Sequence, residues 1–300
     1  MKTKITKKNK PYNGSNKMNL LRDGGEPMNL SELIKDDSNL PLNDIICGNS
    51  IEIMATFPVN SIDLTVTSPP YDELRNYNGY HFDFKNIARG LYRITKKGGI
   101  VVWVVGDKIK NGNKSLTSFR QALYFQEVGF NVHDTMIYKK KNTPFMRSNA
   151  YTNCFEFMFV FCKGSPNTFN PLKTKSARSG YEMLVFGKGA DAINRKTMGY
   201  LKPEKTLTNI WEYAVGLGGT TNDKVAFKHP AVFPEKLAQD HILSWTKEGD
   251  VVFDPMCGSG TTCKMALKNK RKYIGCDISD EYCQIAKQRI QSHLKQPTLL

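Results

Sequence analysis

From residue 44 onward, short runs rich in β-branched and aromatic residues alternate with stretches whose apolar positions recur every three to four residues. This is the pattern of strands and helices taking turns in an α/β sheet. Strands are predicted at 44–47, 62–66, 100–105, 135–138, 155–161, 251–253 and 273–276. The run 100–105 is apolar at every position, as expected of a central strand covered on both faces. Helices are predicted between them. Ser50 caps a short one bearing Ile51, Met54 and Ala55. Positions 84–95 carry Ile87, Leu91 and Ile94 on one face, closed by Gly98-Gly99. Positions 115–128 carry Phe119, Ala122, Leu123 and Gln126 at helical spacing and end at Gly129. Pro234 suits a first helical position ahead of Leu237, His241, Ile242 and Trp245. Further helices follow at 261–267 and, capped by Ser279, at 279–294, with Tyr282, Ile285, Ala286 and Ile290 inward.

Two stretches lack this rhythm. Residues 1–28 are polar, basic and unpatterned, and read as a flexible arm. Residues 163–228 are rich in Gly, Ser, Thr, Asn and Lys with weak periodicity, and so long an irregular stretch inside a domain is usually functional. The remaining chain divides into halves at 29–162 and 229–300.

Composition narrows the class. Hydrophobic residues are 40% of the 300 and charged residues 24%, which excludes a disordered or collagen-like chain. No apolar run exceeds six residues, and the opening MKTKITKKNK contains no apolar core. Neither a membrane span nor a secretory signal is expected. The seven cysteines include no C-x-x-C pair, so no metal site or disulfide framework is expected, and a reduced, cytoplasmic protein follows. The net charge is +15, unevenly spread. Residues 1–22 hold seven bases and no acid. Residues 139–210 hold 13 bases and 4 acids, leaving the rest near neutral. A lysine-rich terminus is commonly only a solvated tail. The second segment coincides with the irregular stretch, and points to a phosphate backbone.

A strand runs into a helix through Phe253-Asp254-Pro255-Met256-Cys257-Gly258-Ser259-Gly260-Thr261-Thr262. Gly258 and Gly260 would let a ligand approach the backbone. Asp277 ends the next strand, 19 residues beyond Gly258, a spacing suited to ribose hydroxyls. Position 263 is Cys where a dinucleotide loop has its third glycine, and no G-K-[ST] is present. Asp254 disfavours a pyrophosphate and suits a cofactor bearing an ammonium and a sulfonium, as S-adenosylmethionine does.

Thr67-Ser68-Pro69-Pro70-Tyr71 follows the strand at 62–66. Each proline forces its predecessor toward extended geometry, giving a stiff corner at a strand's C-terminal edge. The exocyclic amine of cytosine or adenine is a poor nucleophile, because its lone pair is conjugated with the ring. The Ser68 hydroxyl and the Pro69 carbonyl are acceptors able to draw that nitrogen toward sp3 character, and Tyr71 can stack on the base. Transfer is then direct, driven by positioning and charge stabilisation.

These residues resemble the amino-methyltransferases of DNA, N4-cytosine or N6-adenine specific, in the permuted class called beta. Members carry [DNS]-P-P-[YFW] early and F-x-G-x-G late, with a target-recognition region between. Here T-S-P-P-Y stands at 67–71 and F-D-P-M-C-G-S-G-T-T at 253–262, preceded by H-P-A-V-F-P-E at 229–235. V-H-D-T-M-I-Y-K-K-K-N-T-P (132–144) and F-E-F-M-F-V-F-C-K-G (155–164) resemble the strand pair closing the target pocket. The resemblance spans about residues 44–294. It implies a Rossmann-like class I fold, circularly permuted: a seven-stranded, mostly parallel sheet with one antiparallel strand and an inserted target-recognition region at 163–228. Ser68, Pro69, Pro70 and Tyr71 would be catalytic. Phe253, Asp254, Gly258, Ser259 and Gly260 would lie along the methionine end of S-adenosylmethionine, and Thr261 and Thr262 would also bind the cofactor. Asp277 would take the ribose, Phe233 would pack nearby, and Asn49 would stand beside the adenine where the family often has Asp. Ser68, in place of Asp, leans toward cytosine N4. The partner would be double-stranded DNA, met by Lys173, Lys175, Arg178, Lys188, Arg195 and Lys196. The target base would be flipped out. The resemblance allows for a restriction endonuclease partner and for a monomer or homodimer, in a bacterial or phage cytoplasm and near the nucleoid.

Other readings stay open. The same fold could methylate adenine N6, act on RNA or a protein amide, or bind DNA without catalysis. Arg75, Tyr77 and Tyr80 either hold the flipped base or pack their loop. Cys257 reads as a packing residue, His133 and His229 as structural, Glu156 as a sheet-edge charge or pocket residue, and Asp107 as a candidate for the cleft.

Overall fold

The apolar run at 100–105 is wholly buried within the main sheet. The computed structural model describes residues 40–70, 82–142, 148, 150–185 and 196–295. In chain order these form β1 (Asp44–Cys47), α1 (Ser50–Thr56), β2 (Ile62–Thr67), α2 (Phe84–Ile94), β3 (Thr95–Val105), the small β4 (Ile109–Lys110) and β5 (Asn113–Lys114), and α3 (Thr117–Val128). There follow β6 (Asn131–Lys140), β7 (Phe155–Cys162), β8 (Lys173–Lys175), β9 (Gly180–Val185), β10 (Lys196–Leu201), β11 (Glu204–Thr206) and β12 (Ile210–Tyr213). The chain then runs through α4 (Glu235–Trp245), β13 (Val251–Asp254), α5 (Thr261–Lys268), β14 (Lys272–Asp277) and α6 (Asp280–Lys295).

One eight-stranded sheet organises them, in the order β1-β14-β13-β2-β3-β7-β6-β12. β7 is antiparallel to β3 and to β6, and every other neighbouring pair is parallel. Alternation along β3 explains its uninterrupted apolar sequence. Ile100, Val102 and Val104 enter one core cluster with Leu237, Ile242, Met265, Ala286 and Ile290 of α4–α6. Val101, Trp103 and Val105 enter the other, with Met54, Leu91, Ile94 and Phe125 of α1–α3. Three helices therefore cover each face. Trp103 is wholly buried, and its indole N–H donates to Gln121 Oε1 of α3 at 2.8 Å.

The structure corrects the sequence expectations in several places. The sheet has eight strands rather than seven. The extra one, β12, lies in the stretch 163–228 and pairs with β6, so that stretch is not wholly outside the sheet. Its alternation is short, with Trp211 and Tyr213 buried and Ile210 exposed. Within the same stretch, β8–β11 and β9–β10 form two-stranded ladders of their own. α2 ends at Thr95, whose hydroxyl donates to Leu91 O, and Gly98-Gly99 lie inside β3. α3 is turned by about one position. It buries Ser118, Gln121, Ala122, Phe125 and Val128, leaving Phe119 46% and Leu123 60% exposed. The cap of α1 is Asn49, not Ser50. Among the described residues no helix is long and apolar enough to cross a membrane.

Candidate active site

β13 is followed by α5 and then by β14 on one side. β2 leads through α2 to β3 on the other. The chain thus departs in opposite directions from two adjacent parallel strands. The crevice beyond their C-terminal ends is where open α/β sheets hold ligands. The two motifs, far apart in sequence, both emerge there. Thr67, at the end of β2, donates its hydroxyl to Asp254 Oδ1, at the end of β13, at 2.7 Å. Thr262, in the first turn of α5, donates to Val66 O at 3.0 Å. These bonds pin the glycine loop against the start of the Ser-Pro-Pro corner. In that corner Ser68 and Pro70 are half-buried and Pro69 is buried. Tyr71, Arg75, Tyr77 and Tyr80 lie outside the described residues, as do Lys188, Arg195 and the arm 1–28.

The glycine loop is shaped by its own backbone. Gly258 and Gly260 adopt φ of +48° and +75°, where L side chains are strained. A Cβ on Gly260 would also stand 2.8 Å from Ala286 Cβ of α6. A Cβ on Gly258 would stand 2.7 Å from His229 Nε2. We expect Gly260→Ala to destabilise the fold by about 2–4 kcal/mol, the left-handed cost plus overpacking against α6. Urea unfolding measures this, and an unchanged midpoint would contradict the packing described.

The side chains of the loop are largely buried. Phe253 is fully buried, edge-on to Phe57 in the core beneath α1. Asp254 is 1% exposed. Its Oδ1 accepts from Thr67 and from Met256 N, and burial pushes its pKa up to about 7. Ser259, Thr261 and Thr262 are buried. All five therefore help to hold the loop in shape. Cys257 is buried, with its N–H on Cys276 O at 2.8 Å.

Asp277 is half-buried at the end of β14. Its Oδ2 accepts from Gly258 N at 2.8 Å and its Oδ1 from Ser279 N at 3.0 Å. Desolvation raises its pKa. Gly48 N donates to Asp277 O at 2.8 Å, which sets Asn49 beside it. The Asn49 carboxamide oxygen caps α1 through Ile51 N at 2.9 Å. Phe233 is half-buried against the α4–α6 core. His229 Nδ1 accepts from Ala231 N at 3.1 Å, and its ring meets Tyr282 edge-on.

A buried ionic cluster under the loop was not anticipated. Arg289, on the inward face of α6, is 1% exposed. Its Nη1 donates to Ser259 O at 2.5 Å, Ser259 Oγ at 3.0 Å and Thr261 Oγ1 at 3.2 Å. Its Nε reaches Asp223 Oδ2 and its Nη2 reaches Glu235 Oε1, both at 2.8 Å. Lys264 of α5 and the Thr221 hydroxyl also reach Glu235, at 2.9 and 2.8 Å. The one signal for this in the sequence is a charged residue in the apolar stripe Cys283, Ala286, Ile290.

The other candidates are accounted for. The Asp107 carboxylate accepts from the N–H and hydroxyl of Ser118 and holds the start of α3. Glu156, where β7 begins, pairs with Lys140 at 2.6 Å. His133 packs against Trp245. Lys173, Lys175 and Arg178 are exposed, Lys173 within 3.7 Å of Glu204, and Lys196 opens β10. Among the described residues no three His, Cys, Asp or Glu side chains are grouped to hold a metal.

Comparison with known proteins meets this geometry. A family model for N6/N4 methyltransferases, described as a DNA methylase, matches residues 62–288. The orphan methyltransferase M.BamHII of Bacillus amyloliquefaciens is 53% identical over 240 residues, covering 78% of this chain and 90% of the relative. The structure of the cytosine-N4-specific PvuII DNA methyltransferase aligns with a TM-score of 0.61 at 20% identity, over 85% of this chain and 87% of that one. The Thermus thermophilus protein TTHA0409, in complex with S-adenosyl-L-methionine, aligns with a TM-score of 0.56 at 22% identity, over 84% and 96%. The two structures share the class I methyltransferase fold with this chain.

Proposed function

The chain belongs to the N6/N4 DNA methylase family, and we propose that this S-adenosylmethionine-dependent DNA methyltransferase acts on the N4 amino group of a flipped-out cytosine. The observation that carries the reading is the pair of hydrogen bonds, Thr67 to Asp254 and Thr262 to Val66, that joins the two motifs at one crevice. The residues there fit the donor by their chemistry. Asp277 is a half-buried acid whose carboxylate accepts from the backbone N–H groups of Gly258, Ser279 and Ile278 and has acceptor capacity left over for ribose hydroxyls. The cations bonded around the loop, Lys264 and Arg289, are held by Asp223 and Glu235, which suits a ligand without phosphates.

Bound S-adenosylmethionine supplies an electrophilic methyl on a sulfonium. The backbone of Gly258, Ser259 and Gly260 would hold its methionine end, Asp277 would take the ribose hydroxyls, Asn49 would accept at the adenine, and Phe233 would pack near the cofactor. The Ser68 hydroxyl oxygen and the Pro69 carbonyl would accept hydrogen bonds from the two amino N–H groups of the target base, turning its nitrogen lone pair out of conjugation; the methylated nitrogen would then shed one proton to solvent. Tyr71 stacks on the base. Phe253, Asp254, Thr261 and Thr262 hold the loop in shape. Pro69 and Pro70 keep the corner rigid, which confines the amine to one approach. Ser68 favours cytosine, while adenine offers an amine of the same kind.

The test is to incubate the protein with labelled S-adenosylmethionine and duplex DNA, digest to nucleosides and identify the product by mass. N4-methyldeoxycytidine is expected. N6-methyldeoxyadenosine would overturn the choice of base, and an unlabelled digest would overturn catalysis itself.

The exposed bases of 163–228, with Arg75, are proposed to meet the DNA backbone. The logarithm of affinity should then fall linearly with the logarithm of salt concentration, by roughly 0.9 per phosphate neutralised. Lys173→Ala and Lys175→Ala should each flatten the slope by about 1 without changing the sequence preference. Fluorescence anisotropy across a salt series measures it, and unchanged slopes would remove those lysines from the interface.

A further inference from the structure

We infer that Arg289 is a positioning residue for the cofactor, holding the glycine loop from beneath, and that Asp223 and Glu235 set its guanidinium for that task. The inference rests on the reading of the loop at 254–260 as the cofactor site.

Three observations carry it. First, all three nitrogens of the guanidinium are committed. Nη1 takes the loop, bonding Ser259 O, Ser259 Oγ and Thr261 Oγ1, while Nε and Nη2 take the carboxylates. A planar fork held on its two acidic sides has one orientation left on the third. Second, the loop needs such a support. Gly258 and Gly260 adopt left-handed φ and supply no side-chain packing of their own. Between them Ser259 has its carbonyl and hydroxyl both turned onto Nη1. If the guanidinium were withdrawn, that buried carbonyl and hydroxyl would lose their donor. The peptide after Ser259 would then be free to rotate, and with it the backbone groups offered to the ligand. Third, the acids come from other parts of the chain. Glu235 opens α4, and its N–H donates to Thr220 O at 3.0 Å. Asp223 begins the 3-10 turn Lys224–Lys228 and caps it through Val225 N at 3.2 Å. Lys264 stands within 2.9 Å of Glu235 and 3.6 Å of Asp223, so the cluster is near charge balance, with two cations against two carboxylates. Balance of that kind makes a buried guanidinium tolerable, and also makes the removal of one member consequential.

A buried ion cluster could equally serve stability alone, and the two roles separate by experiment. Asp223 is the partly exposed rim of the cluster, so Asp223→Asn is the variant expected to fold, and Arg289→Lys is the sharper one. Lysine offers a single nitrogen and cannot bond the loop and both acids in the same plane. Steady-state methylation at saturating DNA should show the KM for S-adenosylmethionine raised about 10-fold in Asp223→Asn and more in Arg289→Lys. In Asp223→Asn, kcat should stay within about twofold of wild type. Calorimetry should give the same 10-fold loss in cofactor Kd, with DNA affinity unchanged. A lowered melting temperature with an unaltered KM and Kd would overturn the inference and leave the cluster structural. So would a fall in kcat at constant KM. Gly260→Ala serves as the reference. If it weakens cofactor binding while Asp223→Asn does not, the inference alone is wrong. If neither variant affects cofactor binding, the loop is not the cofactor site.

Discussion

Ser68→Ala is expected to lower the single-turnover rate of methyl transfer by about 100- to 1,000-fold, the usual consequence of deleting one positioned hydrogen-bonding group from a reacting centre. Affinity for S-adenosylmethionine and for DNA should stay close to wild type. The reason is geometric. Ser68 directly follows Thr67, whose hydroxyl is fixed to Asp254 at 2.7 Å, and directly precedes Pro69. The residue is thus held between a hydrogen-bonded strand end and a rigid ring. Its acceptor acts on the target amine only as that nitrogen pyramidalises, so its loss belongs in the rate and not in the binding of either substrate. Rapid-quench measurement with saturating cofactor and DNA reads the effect directly. Ser68→Thr keeps the hydroxyl and should retain more activity than the alanine variant. An alanine variant at the wild-type rate would remove Ser68 from the chemistry.

The second large effect concerns pH and Asp254. Burial lifts this carboxyl from 3.8 to about 7, outweighing the bonds from the Thr67 hydroxyl and Met256 N–H that favour its ionised form. Between those two values the folded protein holds a proton that the unfolded chain has released. The contribution of this group to stability is therefore greatest below pH 4. It declines as pH rises and is lost above about 7, by on the order of 4 kcal/mol. Asp254→Asn cannot ionise, and its amide oxygen can still accept from Thr67. The variant should lack this decline, so the gap between its stability and that of wild type should widen in its favour from pH 5 to pH 8. Urea unfolding of both proteins at several pH values measures the gap. A constant difference across that range would mean that Asp254 titrates normally.

How far the sequence could be read followed from which force acted where. Elements with long, regular patterns were legible. β1, β2, the core of β3 and the helices α2, α4 and α5 fall within a residue or two of the expected bounds, because one dominant face or a fully apolar run defines each. The two motifs were legible as well, since diproline and paired glycines restrict the backbone locally. The side chains of the glycine loop were not. A sequence shows that Phe253, Asp254 and Thr262 flank a turn, but not that strand alternation and the first turn of α5 point them inward. β12 escaped because four residues with two buried rings carry little periodicity inside a lysine-rich stretch. The face of α3 was misjudged because Phe119 and Leu123 are large and apolar yet exposed. Gln121 is buried instead, through its bond to Trp103. Arg289 was passed over because a lone basic residue in an amphipathic helix usually snorkels to solvent. Only the arrival of Asp223 and Glu235 from distant parts of the chain makes its burial affordable.

The order of strands bears on how the molecule is made. β1 hydrogen-bonds only to β14 at that end of the sheet, and β2 meets β13 on one side. Among the described residues, β1 is the first strand made, and it waits for more than two hundred further residues before its neighbour β14 exists. At about 5–20 residues per second that is a delay of roughly 10–45 s. Throughout it, half a sheet stands with open edges and the diproline corner has nothing opposite it. On the proposed reading, a nascent chain therefore carries the diproline corner without the glycine loop until β13 and α5 are translated.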